Sequence, residues 1–299
     1  MPCYKPLSAW RQPVGAAGGK AKIVFGREHR DNFDVAQSLD LPCGQCIGCR
    51  LERSRRWAIR LMHENSLHDR SSFVTLTYDD AHLPADGSLV LDDFQRFFKR
   101  LRKQSAHPLR FFHCGEYGET SFRPHYHAII FGEDFVSDRS HHRTTDRGDS
   151  LYTSSRLEET WGLGFALIGD VSFESAAYVA RYCLKKVTGD KAAAHYGDRK
   201  PEYVTMSRRP GIGAGWFSQF SSEVYPSDSV VMRGREMLPP PFYDKLLDKV
   251  DPTLFEQVKR QRVVDSKVFA EGEDSRTGRL MVRERVKSET VSNSLRRLV

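Results

Sequence analysis

The chain has 299 residues, 39% hydrophobic and 28% charged, with a formal net charge of +7. That length suits one large domain or a core with appendages, and no apolar run approaches the ~20 residues that cross a bilayer, which argues against a membrane partner. The positive excess, with its arginines clustered, favours a polyanionic partner, most simply nucleic acid, over an ordinary basic surface. The start, MPCYKPLSAWRQPVG, lacks the layout of a secretory signal, so the expectation is a cytosolic protein with reduced thiols. Six cysteines in that setting point to a metal site or isolated thiols rather than a disulfide framework.

The chain reads as three segments: an N-terminal arm with a cysteine cluster and a basic helix (1–70), a core (71–225) and a charged, mainly helical tail (226–299). Residues 1–40 look irregular, with GAAGGKAK as a flexible break and KIVFG as a short strand-like piece. Cys43, Cys46 and Cys49 then form C-x₂-C-x₂-C, and Cys3 offers a fourth thiolate. Four thiolates would close a structural zinc site tying the arm to the helix that follows; the alternative is incidental cysteines. An iron–sulfur cluster would want another cysteine where Arg53 stands. On that helix Arg50, Arg53, Arg55, Arg56 and Arg60 interleave with Trp57, Ile59 and Leu61. Such a positive face contacts nucleic-acid phosphates without reading sequence, unless it is simply solvated.

In the core, SSFVTLTYDD alternates like a strand, and DDFQRFFKRLRKQ has acid at its start and base at its end, as a helix prefers. LRFFHCGEYG and PHYHAIIFG, joined by a polar turn, read as a hairpin, and 133–150 as a surface loop. SSRLEETW, GFALIGDVSF and ESAAYVARYCLKKVTG follow as helix, strand and helix. This β-α-β-β-α-β-α succession predicts an α+β fold of the split-βαβ, ferredoxin-like kind, an antiparallel sheet with helices on one side. In the tail, LPPPFYDKLLDKVDPTLFEQVKRQRV reads as two short helices, and the last thirty residues as ordered only by contact.

Within HYH, His125 and His127 sit at i and i+2 and so project from one face of a strand. Two imidazoles side by side suit a divalent metal; the bland alternative is a pair at an exposed strand end. Glu116 on the preceding strand can add the oxygen that a hard cation such as Mg²⁺ or Mn²⁺ needs, while Glu119 reads as a solvated hairpin residue. In YVARYCLKK, Tyr178, Tyr182 and Lys185 fall on one helical stripe, with Val179 on another that can pack on a sheet. Alone they read as amphipathic packing residues; beside a metal they can serve phosphotyrosyl chemistry. SRRPGIGAGW holds Arg208 and Arg209 next to glycines that would admit a DNA strand, or form only a tight turn.

In combination, FVTLTY, HYH and YVARYCLK resemble the HUH endonucleases that initiate rolling-circle replication. The two tyrosines, with PCGQCIGCR, CGEYGE, RPHYHAIIFG and MSRRPGIG, are similar to the initiators of single-stranded DNA phages of the microvirus and gokushovirus type. The likeness runs to about residue 245, and its one departure is an aromatic rather than aliphatic residue between the histidines. The resemblance implies that His125, His127 and Glu116 hold Mg²⁺ or Mn²⁺ at a scissile phosphate. It also implies that Tyr178 or Tyr182 attacks, that the other acts at the next round, and that Lys185, with Lys186 as an alternative, orients the tyrosine or phosphate. The partners implied are single-stranded origin DNA and, without any residue demanding it, host replication proteins such as a helicase, in the cytoplasm of a host bacterium. Two rival readings stand beside it: a zinc-stabilised nucleic-acid-binding protein without catalysis, and an HUH transposase or relaxase.

Overall fold

A computed structural model of the chain describes residues 3–11, 22–25, 38–118, 121–182, 191–225 and 227–296. By their contacts the residues divide into two compact units, Met1–Arg53 with Lys259–Val299, and Ser54–Val258. In the first, β1 (Leu7–Arg11) pairs antiparallel with both β2 (Ile23–Phe25) and β3 (Ser38–Leu41). The arm is therefore less irregular than expected. Strands of three to five residues with distant partners are too short to leave a periodic signal. The stretch 12–21, which holds most of GAAGGKAK, lies outside the described residues. Helix α1 (Ile47–Asn65) starts immediately after the cysteine pair Cys43 and Cys46.

The larger unit is built on a seven-stranded sheet. Strand β4 (Ser71–Tyr78) alternates strictly, burying Ser72, Val74, Leu76 and Tyr78 and turning Phe73, Thr75 and Thr77 to the other face. After α2 (Leu91–Gln104), β5 (Arg110–Tyr117) and β6 (Pro124–Phe131) form the expected hairpin. The segment 133–150, expected as a loop, contains β7 (Ser140–Thr144) paired with β8 (Ser150–Thr153). All five residues of β7 are exposed, so no apolar alternation announced it. Helix α3 (Ser155–Trp161) is capped by the Ser154 hydroxyl, which accepts from Leu157 N–H, and closed by left-handed Gly162. Then come β9 (Gly164–Gly169), α4 (Phe173–Tyr182), α5 (Lys191–Tyr196) and β10 (Tyr203–Met206). The strand order is β10-β5-β6-β4-β9-β8-β7, antiparallel throughout. Gly164, at φ 139°, is where β9 begins against β4, and a Cβ there would overlap the backbone of Thr77 and Asp79.

This is the expected α+β fold with an antiparallel sheet. Its cover is two-sided in the following way. Val74, Leu76, Tyr126 and Ile130 meet Phe94, Phe97 and Leu101 of α2 and Leu157 and Trp161 of α3. On the other face Phe112, Ile129 and Phe131 meet Ala58 and Leu61 of α1 and Ala176 and Val179 of α4. The expectation of helices on one side thus describes α2 and α3 only. Seven of the eight residues of β6 are buried, and a strand apolar on both faces needs cover on both.

Beyond the sheet come α6 (Ala214–Val224), the hairpin of β11 (Val230–Met232) and β12 (Arg235–Met237), α7 (Pro241–Val250), α8 (Pro252–Glu271) and α9 (Thr277–Arg296). The tail is mainly helical as expected. However, α8 is a long helix of 20 residues, and α9 gives Thr277–Arg296, most of the last thirty, a regular conformation. Among the described residues no helix is long and apolar enough to cross a membrane.

Candidate active site

The pleat and the hairpin register assemble the site. Glu116 of β5 is the cross-strand partner of His125, Thr77 pairs with His125 on the other side, and Thr75 pairs with His127. Paired residues in an antiparallel ladder share a face, so Glu116, both histidines and both threonines line one row on the α4 side of the sheet. His125 Nε2 and His127 Nε2 lie 2.7 and 2.9 Å from the same oxygen, Glu116 Oε1. The Glu116 side chain is only 3% exposed. Tyr126, between the histidines, points to the opposite core, where its hydroxyl meets those of Tyr78 and the Val90 backbone.

The outer ring nitrogens set the tautomers. His125 Nδ1 lies 3.2 Å from the carbonyl oxygen of Arg123, which can only accept, so Nδ1 carries the hydrogen. His127 Nδ1 meets Thr75 Oγ1 at 2.9 Å. With Nδ1–H fixed, a neutral His125 aims an Nε2 lone pair at a carboxylate oxygen. That arrangement is favourable only with positive charge between them, a proton or a metal cation. Burial alone would raise the Glu116 carboxyl, but hydrogen bonds from His125 and His127 outweigh it and hold the group below the usual carboxylate range. Two nitrogens and a carboxylate oxygen, mutually within 4.8 Å, thus make a donor set that fits one divalent ion. Thr75 and Arg123 lie within the motifs FVTLTY and RPHYHAIIFG, but their contacts with the histidine rings were not legible from spacing.

Helix α4 brings the tyrosine to this row. Its start is fixed by reciprocal bonds, Ser172 N–H to Ser175 Oγ and Ser175 N–H to Ser172 Oγ, and its middle by Ser54 Oγ donating to the Ala177 carbonyl. Val179 and Ala180 are buried, and Tyr178 is exposed, as the helical stripes required. The Tyr178 ring stands edge-on to His127 with centroids 5.3 Å apart, and Phe73 stacks on that imidazole at 5.4 Å while meeting Tyr178 edge-on at 6.2 Å. Tyr182 is the last described residue of α4, four positions on, and its side chain lies outside the described residues, as do Lys185, Lys186 and Glu119.

The basic residues divide. Arg50, Arg53, Arg56, Arg208 and Arg209 are exposed. Arg60 is a correction to the DNA-facing reading of the helix. Its Nε and Nη2 donate to the Ile212 carbonyl, and its guanidinium lies between the rings of Trp57 and Phe242, at 4.1 and 3.8 Å. Burial pulls its pKa down to about 10. The apolar partners that capture it come from far along the chain, which helical spacing could not anticipate. In the other unit Cys3, Cys43, Cys46 and Cys49 come together.

An antiparallel α+β sheet with this histidine pair on one face and a tyrosine helix above it defines a protein of the HUH class. Residues 71–187, which hold six of the seven sheet strands and the tyrosine helix, match the family of the replication-associated protein ORF2/G2P. The chain is 34% identical to the replication-associated protein VP4 of Bdellovibrio phage phiMH2K, over 91% of this chain and 85% of that one. It is 30% identical to the replication-associated protein ORF2 of Spiroplasma virus 4, over 88% and 86%, and 30% identical to the ORF4 protein of Chlamydia phage 1, over 71% and 55%. It belongs to this family of phage replication-associated proteins, the microvirus-type rolling-circle initiators, and its role is in viral replication. No solved structure matches it.

Proposed function

We propose that the chain nicks single-stranded origin DNA with a tyrosine and later rejoins the ends. The observation that carries this reading is the convergence of His125 Nε2, His127 Nε2 and Glu116 Oε1 next to the ring of Tyr178. His125, His127 and Glu116 would hold Mg²⁺ or Mn²⁺, which when bound would draw charge from the non-bridging oxygens of the scissile phosphate.

Tyr178 or Tyr182 attacks phosphorus. A P–O bond to the phenol oxygen forms as its proton leaves, the P–O3′ bond breaks, and the departing oxygen takes up a proton. The products are a 5′-phosphotyrosine and a free 3′-hydroxyl that can prime synthesis. Lys185, with Lys186 beside it, steadies charge gathering on the phosphate. The second tyrosine repeats the transfer after one circuit, so a unit-length circle is cut and resealed. Arg50, Arg53, Arg56, Arg208 and Arg209 contact phosphates of the strand. Phe165 extends the path: it pairs with Thr77 two strands from His125, on the same face, and is 64% exposed, a surface for a neighbouring base to stack on.

The relatives' names favour replication over a transposase or relaxase. The test is a single-stranded oligonucleotide bearing the phage origin, incubated with Mn²⁺ and resolved under denaturing conditions. A covalent protein–DNA adduct is expected. Binding without cleavage under any divalent metal would instead favour the zinc-stabilised, non-catalytic reading.

A further inference from the structure

We infer that Cys3, Cys43, Cys46 and Cys49 bind a single structural zinc ion that locks the N-terminal arm and the start of α1 into one unit with α9. The four sulfurs lie within 4.8 Å of one another, and Cys3 Sγ and Cys46 Sγ are 3.9 Å apart. A tetrahedron with zinc–sulfur bonds of about 2.3 Å has sulfur–sulfur edges of about 3.8 Å. A cubane cluster would put each thiolate on a separate iron, farther apart than these sulfurs stand. No pair is joined as a disulfide.

The backbone is shaped around the sulfurs. Gly44 takes a left-handed φ of 72°, which turns the chain sharply between Cys43 and Cys46. Amide N–H groups converge on the sulfurs: Cys43 N–H donates to Cys3 Sγ at 3.2 Å, Cys46 N–H to Cys43 Sγ at 3.3 Å, and Tyr4 and Cys49 N–H to Cys46 Sγ at 3.4 and 3.5 Å. Donors converging on sulfur stabilise thiolates, and clustered thiolates need a cation among them. Around the sulfurs, Tyr4, Cys46 and Leu280 of α9 are buried together, and Lys5 pairs with Glu284 of α9 at 3.1 Å. Four protein thiolates leave zinc no open position, so the ion serves folding rather than chemistry.

The test uses full-length protein purified with reductant and without chelator. Elemental analysis is expected to give about one zinc per chain, and exchange with Co²⁺ to give the absorption of a tetrahedral thiolate site. The Cys46→Ser variant should lose that zinc, while His125→Ala/His127→Ala should keep it, which separates this site from the proposed catalytic one. If Cys46→Ser does not fold, wild-type thiol reactivity decides. Slow alkylation of the four cysteines, becoming fast once a strong chelator is added together with new proteolytic cuts in both the arm and α9, supports the site. Absence of zinc, bound iron with cluster absorption, disulfides among the four, or rapid alkylation without chelator would each overturn it.

Discussion

His127 is held at both ring nitrogens, by Thr75 Oγ1 on one side and Glu116 Oε1 on the other, and its plane is fixed by Phe73 and Tyr178. Removing the outer partner should therefore weaken the inner one. Thr75→Val is expected to lower Mn²⁺ affinity roughly tenfold, as measured by calorimetry, with Thr75→Ser close to wild type. The histidine pair and Glu116 were legible because a strand pleat and a short hairpin fix their geometry almost entirely from spacing. Thr75 was not, since its role depends on which strand pairs with which. A second histidine makes a separate prediction. His63 is buried against Trp216 and Tyr243, and burial pulls its pKa down from 6.5 to about 4. The unfolded chain takes up its proton below pH 6.5 while the folded chain refuses it until about pH 4. Stability should thus fall as pH drops through that window and level off below it, with about 3 kcal/mol lost from this residue. Denaturant unfolding at pH 7 and pH 4.5 checks this, and His63→Phe should flatten the difference.

At the scale of elements, α1 is bound to the sheet through a buried carboxylate. Glu64 accepts from the Arg110 guanidinium of β5, from Gly213 N–H at 2.6 Å and from His68 at 3.4 Å, and its side chain is 4% exposed. Burial would raise its pKa, but these donors outweigh it and hold the carboxyl low. Glu64→Gln should leave the Arg110 charge without its partner and cost about 3 kcal/mol of unfolding free energy, read from chemical denaturation. Exposed Phe165 makes the opposite kind of test. Phe165→Ala should leave stability within about 0.5 kcal/mol of wild type yet weaken single-stranded DNA binding roughly tenfold, with Phe165→Trp restoring it. Unchanged binding would remove Phe165 from the proposed strand path. The amphipathic elements α2, β4 and the β5–β6 hairpin were readable from their periodicity. The all-exposed β7 and the short strands of the arm were not, because their stability comes from neighbours distant in sequence.

For the whole molecule, the pairing of the chain's two ends in one unit had no sequence signal, as nothing in residues 1–53 specifies residues 259–299. The other unit carries the sheet, the Glu116–His125–His127 row and Tyr178 together, and this is where the family match falls. In the proposed reaction a tyrosine beside this row becomes linked to DNA. The most direct measurement is adduct formation on a single-stranded origin oligonucleotide with Mn²⁺, comparing wild type, Tyr178→Phe, Tyr182→Phe and the double variant. An adduct is expected with wild type and with at least one single variant, and none with the double variant. An adduct that persists when both tyrosines are phenylalanine would contradict it.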